Sequence, residues 1–398
     1  MKSKFILIIP LLFAIASCDS GANNNDYYIK ATEDLNNYEI NTTLQNDFLN
    51  LTDVSLMDEN ICGLKELSKP NKVHLSWESN KNDISYRVIV SEKEDLSSPM
   101  VLKTNDNYLD ISNLKVDTTY YYVIRSQDDA SFATKVLSFH TSKGVRNLDI
   151  DGVTNVRDLG GWSCEDGKTI KQGLIFRGGR LNNSYPEGSG NNGSSYSKKD
   201  TTARCYEREI TSIGIESFQE LGIINEIDLR KEDGNGFPGD KNTEKTFDNV
   251  DGVKYNAFPM GKSDPLADSL NISSLKGIFE FLSKKENYPV YYHCNIGTNR
   301  TGTISMLLEG LCGVSYEDML KDYMFSNFGT ICVWYRQYDE QDEPRAETTD
   351  VTVNNEVYDR IYKAEGDSIS KKTISVLKQA GISEETALAV KNILLGNN

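Results

Sequence analysis

Residues 289–302 read PVYYHCNIGTNRTG, and this stretch decides the fold of the larger part of the chain. PVYYHC is a short β-rich run. It follows ISSLKGIFEFLSKK (272–285), where Leu275, Ile278, Phe279 and Leu282 recur at helical spacing. After the run, Ile304, Leu307, Leu308 and Leu311 predict a helix from about Thr301 with one apolar face. The same order appears upstream, where TSIGIESFQELG (211–222) reads as a helix and INEIDLR (224–230) as a strand. Helix and strand in alternation predict an α/β fold with a largely parallel sheet flanked by helices. Ligands of such sheets sit at the carboxyl ends of the strands, and Asp228 and Cys294 both lie at such ends.

The turn from Asn295 through Ile296, Gly297, Thr298 and Asn299 to Arg300 leads straight into the helix. A turn wrapped onto a helix start aims successive backbone N–H groups at one point, which makes an anion nest. Arg300 adds a planar fork matched to two phosphate oxygens. A cysteine at the base of such a nest has its pKa lowered from about 8.5 to between about 3.5 and 7.5, and its thiolate is a nucleophile. None of the other six cysteines is followed by arginine six residues on. Burying Arg300 in such a turn without an anion leaves a charge unpaired.

These residues resemble the cysteine-dependent protein tyrosine and dual-specificity phosphatases. More narrowly they resemble the bacterial tyrosine/serine phosphatases, whose chains open with an Asn-Phe-Arg-Asp-Leu-Gly-Gly motif. Here NVRDLGG (Asn155–Gly161) holds that place, followed by GLIFRGGRL, LGIINEIDLRKE and DYMFSNF in the family's order. The likeness covers residues 147–397, interrupted by a Gly/Ser/Asn-rich insertion at 182–207. It implies a phosphatase domain over 146–398, Cys294 as the nucleophile forming a phosphocysteine, and Arg300 as the phosphate clamp. By the same resemblance His293 orients the loop and tunes the thiol, and Thr301 donates its hydroxyl to the sulfur as it leaves. The amides of Asn295–Arg300 hold the phosphate oxygens, so neither metal nor cofactor is required.

The leaving group needs a proton, and a carboxylic acid is the reasonable donor in a chain with three histidines. YNAFPMGKSDPLADSLN (255–271) lies where the wider superfamily carries its acid and offers Asp264 and Asp268; Asp228 is the third candidate. The narrower family often has an Asp before the loop arginine, where this chain has Asn299. That departure moves the choice to Asp264, with Asp228 and Asp268 behind it. The family also often has a Lys one position earlier, where this chain has Thr298. An uncharged loop favours phosphoprotein or small phosphomonoester substrates over polyphosphorylated inositols.

The first 145 residues have another texture. Lys2 and Lys4 precede an apolar run from Phe5 to Ile15, the pattern of a signal peptide (1–17). Ile15-Ala16-Ser17-Cys18 resembles a bacterial lipoprotein processing box, which implies a lipid on Cys18 and a location outside the cytoplasm, at a membrane surface. Residues 18–62, rich in Asn and Asp, read as a tether with room for a short element. From 63 to 143 the runs NKVHLSWES, SYRVIVSE and TYYYVIRSQ alternate with period two, which predicts an all-β sandwich. It resembles a fibronectin type III domain, with Trp77 at its core position and Leu114 and Tyr120 at its tyrosine corner. In that role the unit spaces or adheres.

A chain of 398 residues holds two ordinary domains, and 38% hydrophobic with 26% charged residues is a globular balance. The net charge of −16 argues against a nucleic-acid partner, since no basic stripe dominates any segment. Negative charge gives no long-range attraction for a phosphorylated substrate either, so a phosphate site here works by local geometry. Cys62, Cys164, Cys205, Cys312 and Cys332 show no regular disulfide spacing; Cys164 and Cys205 are open either to pairing or to staying free, and Cys312 reads as a small buried hydrophobe. Three other functions stay open: a phosphatase fold kept for docking, sulfur transfer on a rhodanese-like loop, and an inositol phosphate or phosphoinositide phosphatase.

Overall fold

The computed structural model describes residues 28–31, 37–58, 60–61, 63, 65–181, 210–230, 253–261, 266, 268–294, 296–330 and 351–397. The expected signal peptide, Cys18, Cys62, Cys205, Cys332 and the 182–207 insertion lie outside them, as do Asp264 and Asn295.

The N-terminal part carries β1 (Ile29–Ala31), β2 (Asn37–Tyr38), α1 (Thr43–Leu49), β3 (Val73–Ser79), β4 (Tyr86–Ser91), β5 (Met100–Thr104), β6 (Tyr108–Ile111), β7 (Thr119–Ser126) and β8 (Leu137–Thr141). They form a three-stranded sheet, β1-β3-β6, and a five-stranded sheet, β2-β8-β7-β4-β5. Period-two alternation buries Val73, Leu75 and Trp77 from one sheet against Tyr86, Val88, Val90, Tyr120, Tyr122 and Ile124 from the other. Trp77 meets Tyr86 edge-on at 5.1 Å. Tyr120 accepts the Lys115 N–H on its hydroxyl at 2.9 Å.

The expectation of a tether over 18–62 is corrected for its described residues. Strand β1 pairs antiparallel with Trp77–Ser79, and β2 pairs parallel with His140–Thr141. Between them α1 starts in a capping box: the Thr42 side chain accepts from Gln45 N–H while the Gln45 side chain accepts from Thr42 N–H. Phe48 on α1 packs against Phe325 at 6.1 Å and Phe328 at 5.6 Å, inside the core of the C-terminal half. Hydrophobes scattered without period are buried in two different cores, Ile29 and Ile40 in that of the sandwich and Phe48 and Ile61 in that of the C-terminal half, which local composition hides. Phe48→Ala is therefore expected to destabilise the C-terminal half by about 3–5 kcal/mol. Denaturant unfolding followed by tyrosine fluorescence checks this, and an unchanged midpoint would return α1 to the status of a tether.

The C-terminal part carries β9 (Arg157–Asp158), β10 (Ile175–Gly178), α2 (Ser212–Glu220), β11 (Asn225–Asp228), β12 (Lys254–Ala257), α3 (Ser269–Leu282), β13 (Val290–His293), α4 (Asn299–Cys312), α5 (Tyr316–Met324), α6 (Val351–Lys363), α7 (Ile369–Gln379) and α8 (Glu384–Leu395). Its sheet runs β12-β11-β13-β10-β9, parallel throughout except for the β9–β10 pair. This is the mixed α/β arrangement that helix–strand alternation predicts. Helix α4 starts at Asn299, and every residue from Arg300 to Cys312 is buried, not one apolar face alone. The cause is its position: α5, α6, α7 and α8 all pack on it, and β13 leads directly into it. Gly310 permits α7 to come close, since a Cβ there would meet Thr373 Oγ1 at 2.6 Å.

The two parts are joined by specific polar contacts. The Gln172 side chain pairs with both backbone groups of Val116, at 2.9 and 2.8 Å. Arg146 donates to the carbonyls of Asn113 and Leu114 and forms an ion pair with buried Asp158 at 2.8 Å.

Candidate active site

Strand β13 lies at the centre of the sheet, and its last residue, His293, is in register with Gly178 of β10 and Asp228 of β11. Three strands therefore end together where Cys294 begins the loop to α4. The N-cap residue of that helix, Thr298, makes no side-chain capping bond, and its hydroxyl is buried with no hydrogen-bond partner. The first turn of α4 thus keeps its N–H groups for another acceptor.

The loop is held in shape from behind. Gly297 adopts φ +73°, and a Cβ there would sit 2.5 Å from the Gly178 backbone, so only glycine fits. Arg177 Nη2 donates to the Gly297 carbonyl at 2.8 Å, and Asn155 Nδ2 donates to the Ile296 carbonyl at 3.1 Å. Arg177 also pairs with Asp322 and donates to Ser305 Oγ. Arg157 donates to both Asp322 and Asn155. These side chains come from NVRDLGG, GLIFRGGRL and DYMFSNF, so three motifs far apart in sequence converge on one loop. With their carbonyls turned to Arg177 and Asn155, the loop peptides present N–H groups to the other side. The amides of Gly297 and Thr301 are among the groups that lower the Cys294 thiol.

Cys294, Cys164 and Cys312 are free and buried. Burial alone raises a thiol pKa, and it pushes Cys164 up to about 11 and Cys312 well above its ordinary value. At Cys294 burial has the same sense, but the Arg300 charge, the Thr301 hydroxyl and the two amides outweigh it and bring the thiol down to about 7. Of the two states left open for Cys164, pairing or a free thiol, the structure has the free thiol, and Cys312 is the buried hydrophobe expected. Iodoacetamide at pH 7 is expected to modify Cys294 ahead of Cys164 and Cys312, with a rate whose pH midpoint lies near 7. Peptide mapping over a pH series checks this, and a midpoint above 8.5 would contradict the electrostatic account.

Arg300 is buried, and its Nη1 donates to the carbonyls of Leu229 at 3.2 Å and Met260 at 3.4 Å. His293 is fully buried, with Nδ1 2.8 Å from the Cys294 carbonyl oxygen and Nε2 2.7 Å from Glu226 Oε1. Glu226 was not among the residues expected from sequence. Its signal was present in NEID, where two carboxylates two apart must share one face of a buried strand.

The three candidate acids separate. Asp228 is fully buried and binds Arg230 through both oxygens, at 2.9 Å from Nε and 2.7 Å from Nη2, with Tyr255 OH at 3.1 Å. Burial opposes its charge, but Arg230 and then His293 hold its carboxyl below the usual range. A carboxylate held ionised and enclosed has no proton to give, so the expectation of Asp228 as an acid is corrected to an ion-pair role. Asp268 caps α3 by accepting from Asn271 N–H at 2.7 Å. Asp264 lies outside the described residues, four positions after Met260, whose carbonyl touches Arg300. Ligand-type atoms of Glu226, Asp228 and His293 lie within 4.8 Å of one another, but Arg230 and the Cys294 carbonyl already engage this cluster.

The profile of the tyrosine phosphatase family matches residues 148–191 and 198–396. The chain belongs to that family. A Cupriavidus necator protein that carries the provisional name tyrosine-protein phosphatase is 26% identical to this family member over 211 residues, which are 46% of this chain and 64% of that protein. The match thus spans less than two thirds of the relative's length. Among solved structures, Pseudomonas aeruginosa TpbA matches 49% of this family member and 89% of its own chain, at 14% identity and a TM-score of 0.26. The core catalytic domain of the PP-IP phosphatase SIW14 from Saccharomyces cerevisiae matches 48% and 94%, at 14% identity and a TM-score of 0.25.

Proposed function

We propose that this member of the tyrosine phosphatase family hydrolyses phosphomonoesters through a phosphocysteine at Cys294. The observation that carries this is the geometry of the loop: a free, buried cysteine at the end of β13, a glycine turn at φ +73° and a buried Arg300 in the first turn of a helix whose start has no side-chain cap, with the thiol brought down to about 7 accordingly. The thiolate attacks phosphorus in line while Arg300 and the loop amides hold the equatorial oxygens. The P–O bond breaks, and the leaving oxygen takes a proton from a carboxylic acid, for which Asp264 is the choice left by the commitments of Asp228 and Asp268. Water then attacks the phosphocysteine, the S–P bond breaks, and phosphate leaves. The buried Thr301 hydroxyl, which already lowers the Cys294 thiol, favours the sulfur as a thiolate at that moment.

Phosphotyrosine, phosphoserine and phosphothreonine are the substrate classes that the uncharged Thr298 position favours over polyphosphorylated inositols. The N-terminal sandwich is read as fibronectin type III-like, supported by buried Trp77 and by the Tyr120 hydroxyl bonded back to Lys115. Cys18 is read as lipid-bearing, which puts the enzyme at the cell envelope, outside the cytoplasm. Phosphate release from p-nitrophenyl phosphate, phosphopeptides and inositol phosphates, under reducing conditions with chelator, tests the reading. Turnover that survives chelator supports it, and vanadate binding without any turnover would favour a docking module instead.

A further inference from the structure

The chemistry proposed above leaves Glu226 without a role, although it is fully buried two residues before the strand end beside Cys294. A carbonyl oxygen only accepts, so the 2.8 Å contact from His293 Nδ1 to the Cys294 carbonyl requires a proton on Nδ1. A neutral imidazole carries one N–H, which would leave Nε2 an acceptor. Nε2 is 2.7 Å from Glu226 Oε1, and two acceptors at that distance need a proton between them. That proton rests on Nε2 or on Glu226, and either arrangement keeps Nδ1–H in place.

We propose that Glu226 is a positioning residue of this site, which fixes His293 as a standing Nδ1–H donor to the Cys294 carbonyl and so holds the peptide that carries the thiol. The surroundings are consistent in charge. His293 Nδ1 also lies 4.0 Å from Asp228 Oδ1, Arg230 and Tyr255 bind the other oxygen of that carboxylate, and the Tyr291 ring stacks on the imidazole at 5.7 Å. Among the described residues, the Glu226 and Asp228 carboxylates face the Arg230 guanidinium and the His293 ring in one buried place. Burial disfavours the imidazolium, but Asp228 and then Glu226 raise the His293 pKa above its ordinary value.

Two substitutions separate position from charge. In Glu226→Gln the amide N–H₂ can donate to Nε2, which keeps the Nδ1–H tautomer while the charge is gone. In Glu226→Leu nothing fixes Nε2, and the ring is free to move its proton there and release the carbonyl. The inference rests on the phosphatase reading, but its readouts need no turnover. Nitrogen-15 spectra of the full chain labelled at histidine are tractable because there are three histidines, and His74 and His140 are not buried. At pH 7 the wild type is expected to show a proton on Nδ1 with a second held at Nε2, and Glu226→Gln a neutral Nδ1–H ring. Glu226→Leu is expected to populate Nε2–H and to slow alkylation of Cys294 at pH 7 by roughly threefold to tenfold, with Glu226→Gln nearer the wild type. A wild-type His293 that is neutral with Nε2–H overturns the assignment, and this needs no variant to fold. So does a Glu226→Leu protein with wild-type tautomer and thiol profile. Intact signatures without phosphate release would support Glu226 and sink the phosphatase reading alone; turnover without the signatures would sink Glu226 alone.

Discussion

Cys294→Ser is expected to lower phosphate release at pH 7 by at least about 10⁴-fold, because a hydroxyl in place of the thiol is not ionised at that pH. The substitution removes one sulfur from a loop whose shape is fixed elsewhere, by Arg177 on the Gly297 carbonyl and Asn155 on the Ile296 carbonyl. Binding of a phosphate-like anion is therefore expected to survive, since the loop amides and Arg300 are untouched. Isothermal titration with vanadate or inorganic phosphate, beside the turnover assay, separates loss of the nucleophile from loss of the nest. A serine variant that keeps a tenth of the activity would move the chemistry away from Cys294.

Asp322→Ala is the second large effect. Asp322 sits between two fully buried arginines, Arg157 and Arg177, and both its carboxylate and its carbonyl accept from Arg157. Removing it leaves both guanidinium groups buried without their shared carboxylate, for which a loss of about 3–5 kcal/mol is expected. Because Arg177 also carries the Gly297 carbonyl, the loss should reach the loop: the Cys294 thiol should titrate higher as its amides lose their aim. The same pairing sets a pH dependence. Burial raises a carboxyl, but Arg157 and Arg177 bring Asp322 down to about 2. A depressed carboxyl contributes stability that is present above its unfolded pKa, about 3.9, and is lost as pH falls through the folded value. His293, raised in the fold, has the opposite sign: its contribution is complete below about 6.5 and fades as pH rises through its folded pKa. Both are complete between about pH 4 and 6.5, where chemical denaturation should find the wild type most stable. Asp322→Ala should make the acid limb shallower, with the share from depressed Asp228 remaining.

What sequence could show, and what it could not, divides along the range of the contacts. Val73, Leu75 and Trp77, or Leu275, Ile278 and Phe279, announce their elements because burial imposes a period on neighbours in the chain. The Cys294–Arg300 turn is visible for the same reason, since one loop holds all its parts. Phe48 had no such signal: its partners, Phe325 and Phe328, lie in the other half of the chain. Asp228 is the instructive error. A carboxylate at a strand end near the nucleophile looks like an acid until Arg230, two residues away, is seen folded back onto it. Glu226 shows the converse, a carboxylate whose role exists only because β11 and β13 pair in the register that puts it beside His293.

The central claim is covalent, so its most direct test is capture of the intermediate. The wild type would be mixed with a phosphorylated substrate and quenched in acid within its first turnovers, then digested and mapped by mass spectrometry. A phosphoryl group on the peptide that contains Cys294, absent from Cys294→Ser and lost on chase with unlabelled substrate, is the predicted result. Steady phosphate release with no phosphoryl group on Cys294, or with one on another residue, would contradict it.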